Sequence, residues 1–417
     1  MTDLFHGSNG KRFALCNLYK ENLHVMKKAA WLLAAMSATF VITGCSDVKP
    51  DNGEKPIEPI DPNPPVVEYE QKNYTNPLKI LKQDGTEYFV TTADPDIILG
   101  DDGFFYMYPT NCLCEMGEKG MMFDRGPIFK SSNMTEWTWC GSVFDGHPDA
   151  GNWGAKDAGV WAPSIVKIGD KYNYYYSLSS WGDHNPGIGV AVGDSPNGPW
   201  THYGKVVDQK DSGVRNGIDP KVLIDDDKVY MVWGSFFGIA CIQLTDDGIE
   251  PFYAGSELKN HLTYIIADNT GGGGMNIDIN YEGSYIIKRD GYYYFFGSQG
   301  TCLDGMNSTY NVKVGKSESL FGPYLDSAGK ELATESNGDL VVGPSETVAG
   351  TGHNAVIRDL NGDWWLVYHG FYGLGENSDE RSLFIDKLLW DENTGMPYVE
   401  GKVPSLTEKL GPKVYKK

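Results

Sequence analysis

From residue 94 onward, short apolar runs alternate with polar turns, and one compound pattern occurs five times. A two-residue lead opens an apolar run, a polar turn follows, and a second run rich in aromatic residues closes the unit. The first three copies are Asp94-Pro95-Asp96-Ile97-Ile98 with Phe104-Phe105-Tyr106, Ala162-Pro163-Ser164-Ile165-Val166 with Tyr172 to Tyr176, and Asp219-Pro220-Lys221-Val222-Leu223 with Tyr230-Met231-Val232-Trp233. The last two are Glu282-Gly283-Ser284-Tyr285-Ile286 with Tyr292 to Phe296, and His353-Asn354-Ala355-Val356-Ile357 with Trp364 to Tyr368. Successive starts lie 68, 57, 63 and 71 residues apart. Several short strands repeated at such a period predict the blades of a propeller, rather than a sandwich or a solenoid. The expected fold is therefore all-β, a five-bladed β-propeller over residues 76–417. Equivalent positions of a radial repeat converge on one axis, so the leads Asp94, Asp219, Glu282 and His353 are expected to meet there, with Ala162 completing the ring.

In Asp94-Pro95 and Asp219-Pro220 the proline confines the preceding residue to extended backbone, which suits the start of an innermost strand. One Asp-Pro pair is an ordinary turn opener. Two of them in register with Glu282 call for another explanation. Three carboxylates near one axis cannot all titrate normally, because like charge and desolvation raise at least one pKa. Such a set separates a base from an acid. In glycoside hydrolysis an ionised carboxylate activates water, while a protonated carboxyl serves the leaving oxygen.

The formal charge of −21 argues against nucleic acid and anionic membrane surfaces as partners and favours a neutral ligand. Near the start of the chain, Lys27-Lys28 precede an uncharged apolar stretch from Ala29 to Gly44, ending Val41-Ile42-Thr43-Gly44-Cys45. A basic region, a short apolar run and a small residue before cysteine form an export signal, too short to span a membrane. The ending is similar to a bacterial lipobox. Residues 1–45 are thus expected to be a signal peptide with its lipid-bearing Cys45, and residues 1–25 an upstream start that is not translated. That places the protein in a Gram-negative envelope, anchored by lipid at the outer membrane. Residues 46–75, rich in Pro, Asp and Glu, predict an extended tether that buries no core. Beyond Cys45 the cysteines are Cys112, Cys114, Cys140, Cys241 and Cys302, an odd number with no zinc spacing, and most are expected to be buried fillers.

Over residues 77–410 the chain resembles the five-bladed glycosidases of glycoside hydrolase family 43, in particular their endo-α-1,5-L-arabinanase branch. Asp94-Pro95-Asp96-Ile97 resembles the motif of the general base. Gly217-Ile218-Asp219-Pro220 resembles that of the aspartate that orients the acid and raises its pKa. Tyr281-Glu282-Gly283-Ser284-Tyr285-Ile286 resembles that of the general acid. Trp161-Ala162-Pro163-Ser164, the stretch from Cys302 to Tyr324 and Gly352-His353-Asn354-Ala355 are similar to further motifs of that branch. The resemblance implies an inverting hydrolase of arabinan, acting as a monomer. It also implies that His353 contacts a water-ligated cation such as Ca²⁺ at the propeller axis. Two departures, Ala93 before the first aspartate and Leu303-Asp304 after Cys302, lie near the expected sugar site. They leave exo-acting α-L-arabinofuranosidase or β-xylosidase activity open beside endo cleavage. A non-catalytic glycan-binding lipoprotein is the rival from another class, disfavoured by the three carboxylates.

Aromatic residues on loops between blades, next to blade starts or strand exits, are natural sugar platforms, because sugar rings present C–H groups to π faces. Trp161, Trp181 and Phe236 are the candidates, with Asn216 and Ser235 as hydrogen-bonding partners of sugar hydroxyls. An insertion from Thr110 to Phe129 is expected to wall one end of the site. Asp225-Asp226-Asp227 lacks the ligand spacing of a calcium loop and predicts a hairpin turn. Gly271 to Gly274 lacks the Lys-Ser/Thr of a phosphate loop.

Overall fold

A computed structural model describes residues 68–148, 153–155 and 157–416 of the 417-residue chain. The expected signal peptide, Cys45 and most of the tether lie outside the described residues. Four antiparallel sheets of four strands follow one another along the chain, with innermost strands Gly159–Ile168, Lys221–Asp225, Glu282–Arg289 and Val348–Arg358. The first blade has Asp96–Leu99 innermost and runs outward through Phe105–Tyr108, Pro127–Ser131 and Glu136–Ser142. A fifth strand, Lys79–Leu81, lies parallel to its outer edge. Each innermost strand lies against the next, and that of blade V lies against that of blade I. The ring is a five-bladed propeller. Buried aromatic and branched side chains fill the spaces between blades, among them Trp137, Trp233, Tyr174 and Tyr368.

The propeller begins earlier than residue 76. Tyr69–Glu70 pairs with Val414–Tyr415, and Asn73–Tyr74 with Lys409–Leu410. The last part of the expected tether is therefore sheet, because it meets the far end of the chain. The same segment stitches blade V to blade I. Leu78 N–H donates to Leu383 O at 2.8 Å, and Asn76 exchanges hydrogen bonds with the Ile385 backbone at 2.9 and 3.0 Å.

One local geometry repeats at every blade start. Asp94, Ala162, Asp219, Gly283 and His353 all have positive φ, between 41° and 60°, so Asp94 and Asp219 are left-handed and do not take the extended backbone that the following proline predicts. A β-bulge accompanies it in blades II, IV and V, between Trp161 and Ser164, Glu282 and Tyr285, and Gly352 and Ala355. In those three blades the bulge re-aims a side chain beside the lead. The pattern also corrects the expected register by one residue in blade IV: Gly283, not Glu282, is the equivalent of Asp94. Glu282 matches Ala93, Trp161, Ile218 and Gly352. The apolar anchor three residues after each true lead (Ile97, Ile165, Val222, Ile286, Val356) shows the same alignment. The expected hairpin at Asp225-Asp226-Asp227 is present, with Asp226 and Asp227 both at positive φ, as a two-residue hairpin turn requires.

Candidate active site

Asp94 is the centre of a cluster drawn from two blades. Its Oδ2 accepts from Thr110 Oγ1 at 2.6 Å. Its Oδ1 faces Arg381 Nη1 at 3.3 Å, His353 Nδ1 at 3.3 Å and His369 Nδ1 at 3.4 Å, all from blade V. Burial works against a charge here, but the Arg381 guanidinium, the histidines and the Thr110 hydroxyl outweigh it, and the carboxyl is held well below the usual carboxylate range. Burial lowers the pKa of both histidines despite Asp94, so Arg381 supplies the lasting positive charge.

Glu282, 8% exposed, lies in different surroundings. Tyr310 donates to its Oε1 at 2.7 Å and Ser235 to its Oε2 at 2.8 Å. Burial pushes its carboxyl up to about 7, with Asp94 adding repulsion and the two hydroxyls and Arg381 opposing. Asp219 is raised well above its ordinary value by burial, then by the charges of Glu282 and Asp94. The repulsion within this pair is mutual, so between them the two carboxyls retain a proton near neutral pH.

A chain of short contacts joins all four predicted leads. Gly283, next to Glu282, donates its N–H to Asp219 Oδ2 at 3.2 Å. A Cβ on Gly283 would lie 3.0 Å from His353 Cγ, and His353 faces Asp94. Asp94, Asp219, Glu282 and His353 thus share one site at the axis, despite the shifted register of Glu282.

The predicted sugar contacts divide. Trp161 and Trp181 form a tilted pair with ring centroids 5.9 Å apart, and Trp181 is 79% exposed, an open platform. Phe236 is buried; its N–H donates to Tyr281 O, and its carbonyl accepts from Asn280. It is a packing residue, not a platform. Ser235 is also buried, with its hydroxyl committed to Glu282, and Asn216 donates to Ser235 Oγ at 2.9 Å. These two support the carboxyl from behind. The five described cysteines are all free, and Cys112, Cys114 and Cys241 are buried.

Several site residues carried no signal in the repeat. Thr110, Arg381, His369 and Tyr310 come from second and third strands, where the lead pattern is silent. Lys221 and Asp96 sit one layer down the bore, paired at 2.7 Å, with the ammonium 3.9 Å from the centre of the Tyr285 ring. The fit for a cation is limited. Among the described residues, no group of three or more His, Cys, Asp and Glu side chains could hold a metal ion. His353 Nδ1 is turned to Asp94, which leaves Nε2 alone. The residues fit a cation that keeps its own water shell and do not fit one enclosed by protein ligands.

Comparison with known proteins places this arrangement. The family model for glycosyl hydrolases family 43 matches residues 80–397. An extracellular endo-α-(1→5)-L-arabinanase of Bacillus subtilis is 32% identical, covering 67% of this chain and 81% of its own. An extracellular exo-α-(1→5)-L-arabinofuranosidase of Cellvibrio japonicus is 30% identical over 69% of this chain and 84% of its own. Among solved structures, the Cellvibrio cellulosa α-L-arabinanase complexed with arabinohexaose superposes with a TM-score of 0.62 at 25% identity, covering 75% of this chain and 96% of that one. The endo-arabinanase of Bacillus licheniformis superposes at 0.60 and 28% identity, covering 74% and 97%. With its propeller, its three axial carboxyls and a family match over most of its length, this chain is a glycoside hydrolase and belongs to glycosyl hydrolase family 43.

Proposed function

We propose that the protein hydrolyses α-1,5-linked L-arabinofuranosyl bonds of arabinan with inversion of configuration. The observation that carries this reading is the contrast between two carboxyls of one cluster. Asp94 is held ionised by Arg381 and Thr110, whereas Glu282 is held protonated up to about 7. Asp94 then takes a proton from the attacking water as its oxygen bonds to the anomeric carbon. Glu282 gives its proton to the departing glycosidic oxygen, so the sugar bond breaks with proton and electron pair accounted for. Asp219, against the Gly283 N–H beside Glu282, keeps that acid protonated. Trp161 and Trp181 offer a platform for a neighbouring sugar.

Cleavage within the polymer is the first reading. Release of single arabinose units is the second, favoured by the hairpin of Cys112–Glu115 and Met121–Asp124 that begins two residues after Thr110. A hydrated divalent cation on His353 Nε2 would add positive charge below the carboxyls, and no proton passes through it. Elemental analysis of the purified protein is expected to find it; a metal-free protein of full activity would leave His353 as a residue that shapes the bore.

The deciding experiment is product analysis on linear arabinan, debranched arabinan and aryl glycosides, with ¹H NMR of the first-formed anomer. Inverted products from arabinan are expected. Retention of configuration would overturn the roles of Asp94 and Glu282. Cleavage of aryl xylosides with arabinan untouched would overturn the substrate.

A further inference from the structure

The five blade starts share a second pattern. The residue across the sheet from each blade start is Thr110, Ser177, Gly234, Ser298 or His369, as strand pairing shows for blades II, IV and V and backbone hydrogen bonds for I and III. Its side chain caps the N–H of the next blade's lead residue. Thr110 accepts from Ala162, Ser177 from Asp219 and Ser298 from His353, each at 2.9 Å. Gly234 has no side chain, and there the Asp219 carboxylate takes the N–H of Gly283. In blade V the capping group is an imidazole: His369 Nδ1 accepts from Asp94 N–H at 3.1 Å.

A hydroxyl does this work in three blades, so capping alone does not call for a ring. The ring has a second contact. His369, wholly buried, stacks on Tyr310 with centroids 5.8 Å apart and planes 11° apart. Tyr310 is equally buried and is the residue that donates to Glu282 Oε1. Its slot is completed by Gly352, where any Cβ would run into the Tyr310 ring. Gly352 also pairs with His369. His369 Nε2 has no hydrogen-bond partner although buried, so polarity at that atom does not explain the residue.

The geometry points to the stacked His369–Tyr310 pair as a positioning device that fixes Asp94 and Glu282 relative to each other. Through His369 it meets the backbone N–H and the carboxylate of Asp94, through Tyr310 the carboxyl of Glu282, and it crosses from blade V to blade IV through rigid rings. This inference rests on the reading of Asp94 and Glu282 as base and acid.

The test compares Tyr310→Phe, which keeps the stack and removes the donor, with His369→Ser, which restores the hydroxyl cap of blades II and IV and removes the ring. Two measurements are made on each: kcat and KM on arabinan, and a carboxyl ¹³C titration of glutamate-labelled protein, with Glu282 assigned by its loss in Glu282→Gln. Besides Tyr310, Glu282 faces Ser235, Asp94, Asp219, Arg381 and Cys302, none of which either variant changes. Tyr310→Phe is expected to move the Glu282 titration to higher pH, since the lost hydrogen bond favoured the ionised form. His369→Ser should move it in the same direction with a near-normal melting temperature. Its kcat should fall about 100-fold with little change in KM, as displaced reacting groups require. His369→Ser with wild-type kcat and titration would overturn the inference and leave a backbone cap only. An unmoved titration in Tyr310→Phe would overturn it equally. Because the titration needs no turnover, it tests the positioning device even if arabinan is not cleaved, which would instead count against the proposed reaction. Should His369→Ser fail to fold, His369→Asn supplies an acceptor without the ring and is judged in the same way.

Discussion

Asp94 and Glu282 sit in one cluster, yet a guanidinium faces the first, while hydroxyls and a second carboxyl surround the other. The difference should show in the pH profile. With Asp94 held well below the usual carboxylate range, kcat/KM should stay flat as pH falls through 4, and it should decline above about 7 as Glu282 loses its proton. A decline on the acid side instead would mean that Arg381 does not hold Asp94 ionised. The same shift has a consequence for stability. A carboxyl with a raised folded-state pKa favours the folded state below its unfolded value, and that contribution is lost as pH rises through the folded value, here about 7. The change from 4.5 to about 7 is worth on the order of 3 kcal/mol once ionisation is complete. Glu282→Gln removes the titration. It should lose activity by several orders of magnitude, yet melt at a higher temperature than the wild type at pH 8 and with no advantage at pH 4. Equal melting temperatures at pH 8 would show that Glu282 is not strained by its burial.

At the level of elements, the repeat is legible because every blade start carries an apolar anchor three residues after its lead, and three of the five leads precede a proline, although those three take left-handed rather than extended backbone. Blade IV is where that reading slips. Its lead is Gly283, and glycine carries no chemistry, so the neighbouring Glu282 draws the alignment to itself. The anchor Ile286, three residues after Gly283, carries the true register. What remained illegible lies on second and third strands. His369 sits in a run of buried residues, where nothing local separates a functional side chain from core, while Tyr310 and Arg381 stand among polar residues at the ends of third strands, where the lead pattern does not reach. Their roles follow from which blade lies beside which. Ser235 and Phe236 show the reverse error. A place at the exit of a second strand suggested sugar contact, but the left-handed turn at Phe236 buries its ring and gives the Ser235 hydroxyl to Glu282.

Across the whole molecule, Asp94 depends on ring closure. It belongs to blade I, while Arg381, His353 and His369 belong to blade V, so its environment exists only where the last blade meets the first. Asp219 and Glu282 belong to blades III and IV, far along the ring from that seam in chain order. The seam is held by Asn76, by Leu78 and by two terminal strand pairs that involve Lys409–Leu410 and Val414–Tyr415. Deleting residues 409–417 removes both strand pairs while leaving every site residue in place. The truncated protein should melt at a lower temperature and lose about tenfold or more in kcat, because small displacements of a reacting group are costly. The pattern of loss should identify the base. An aryl arabinoside with an acidic leaving group needs little help from an acid, so Glu282→Gln should recover much of its activity on it. The truncation should show no such recovery, since the water still has to be activated by Asp94. Equal recovery in both would mean that opening the seam disturbs the acid, and that Asp94 does not draw its environment from blade V.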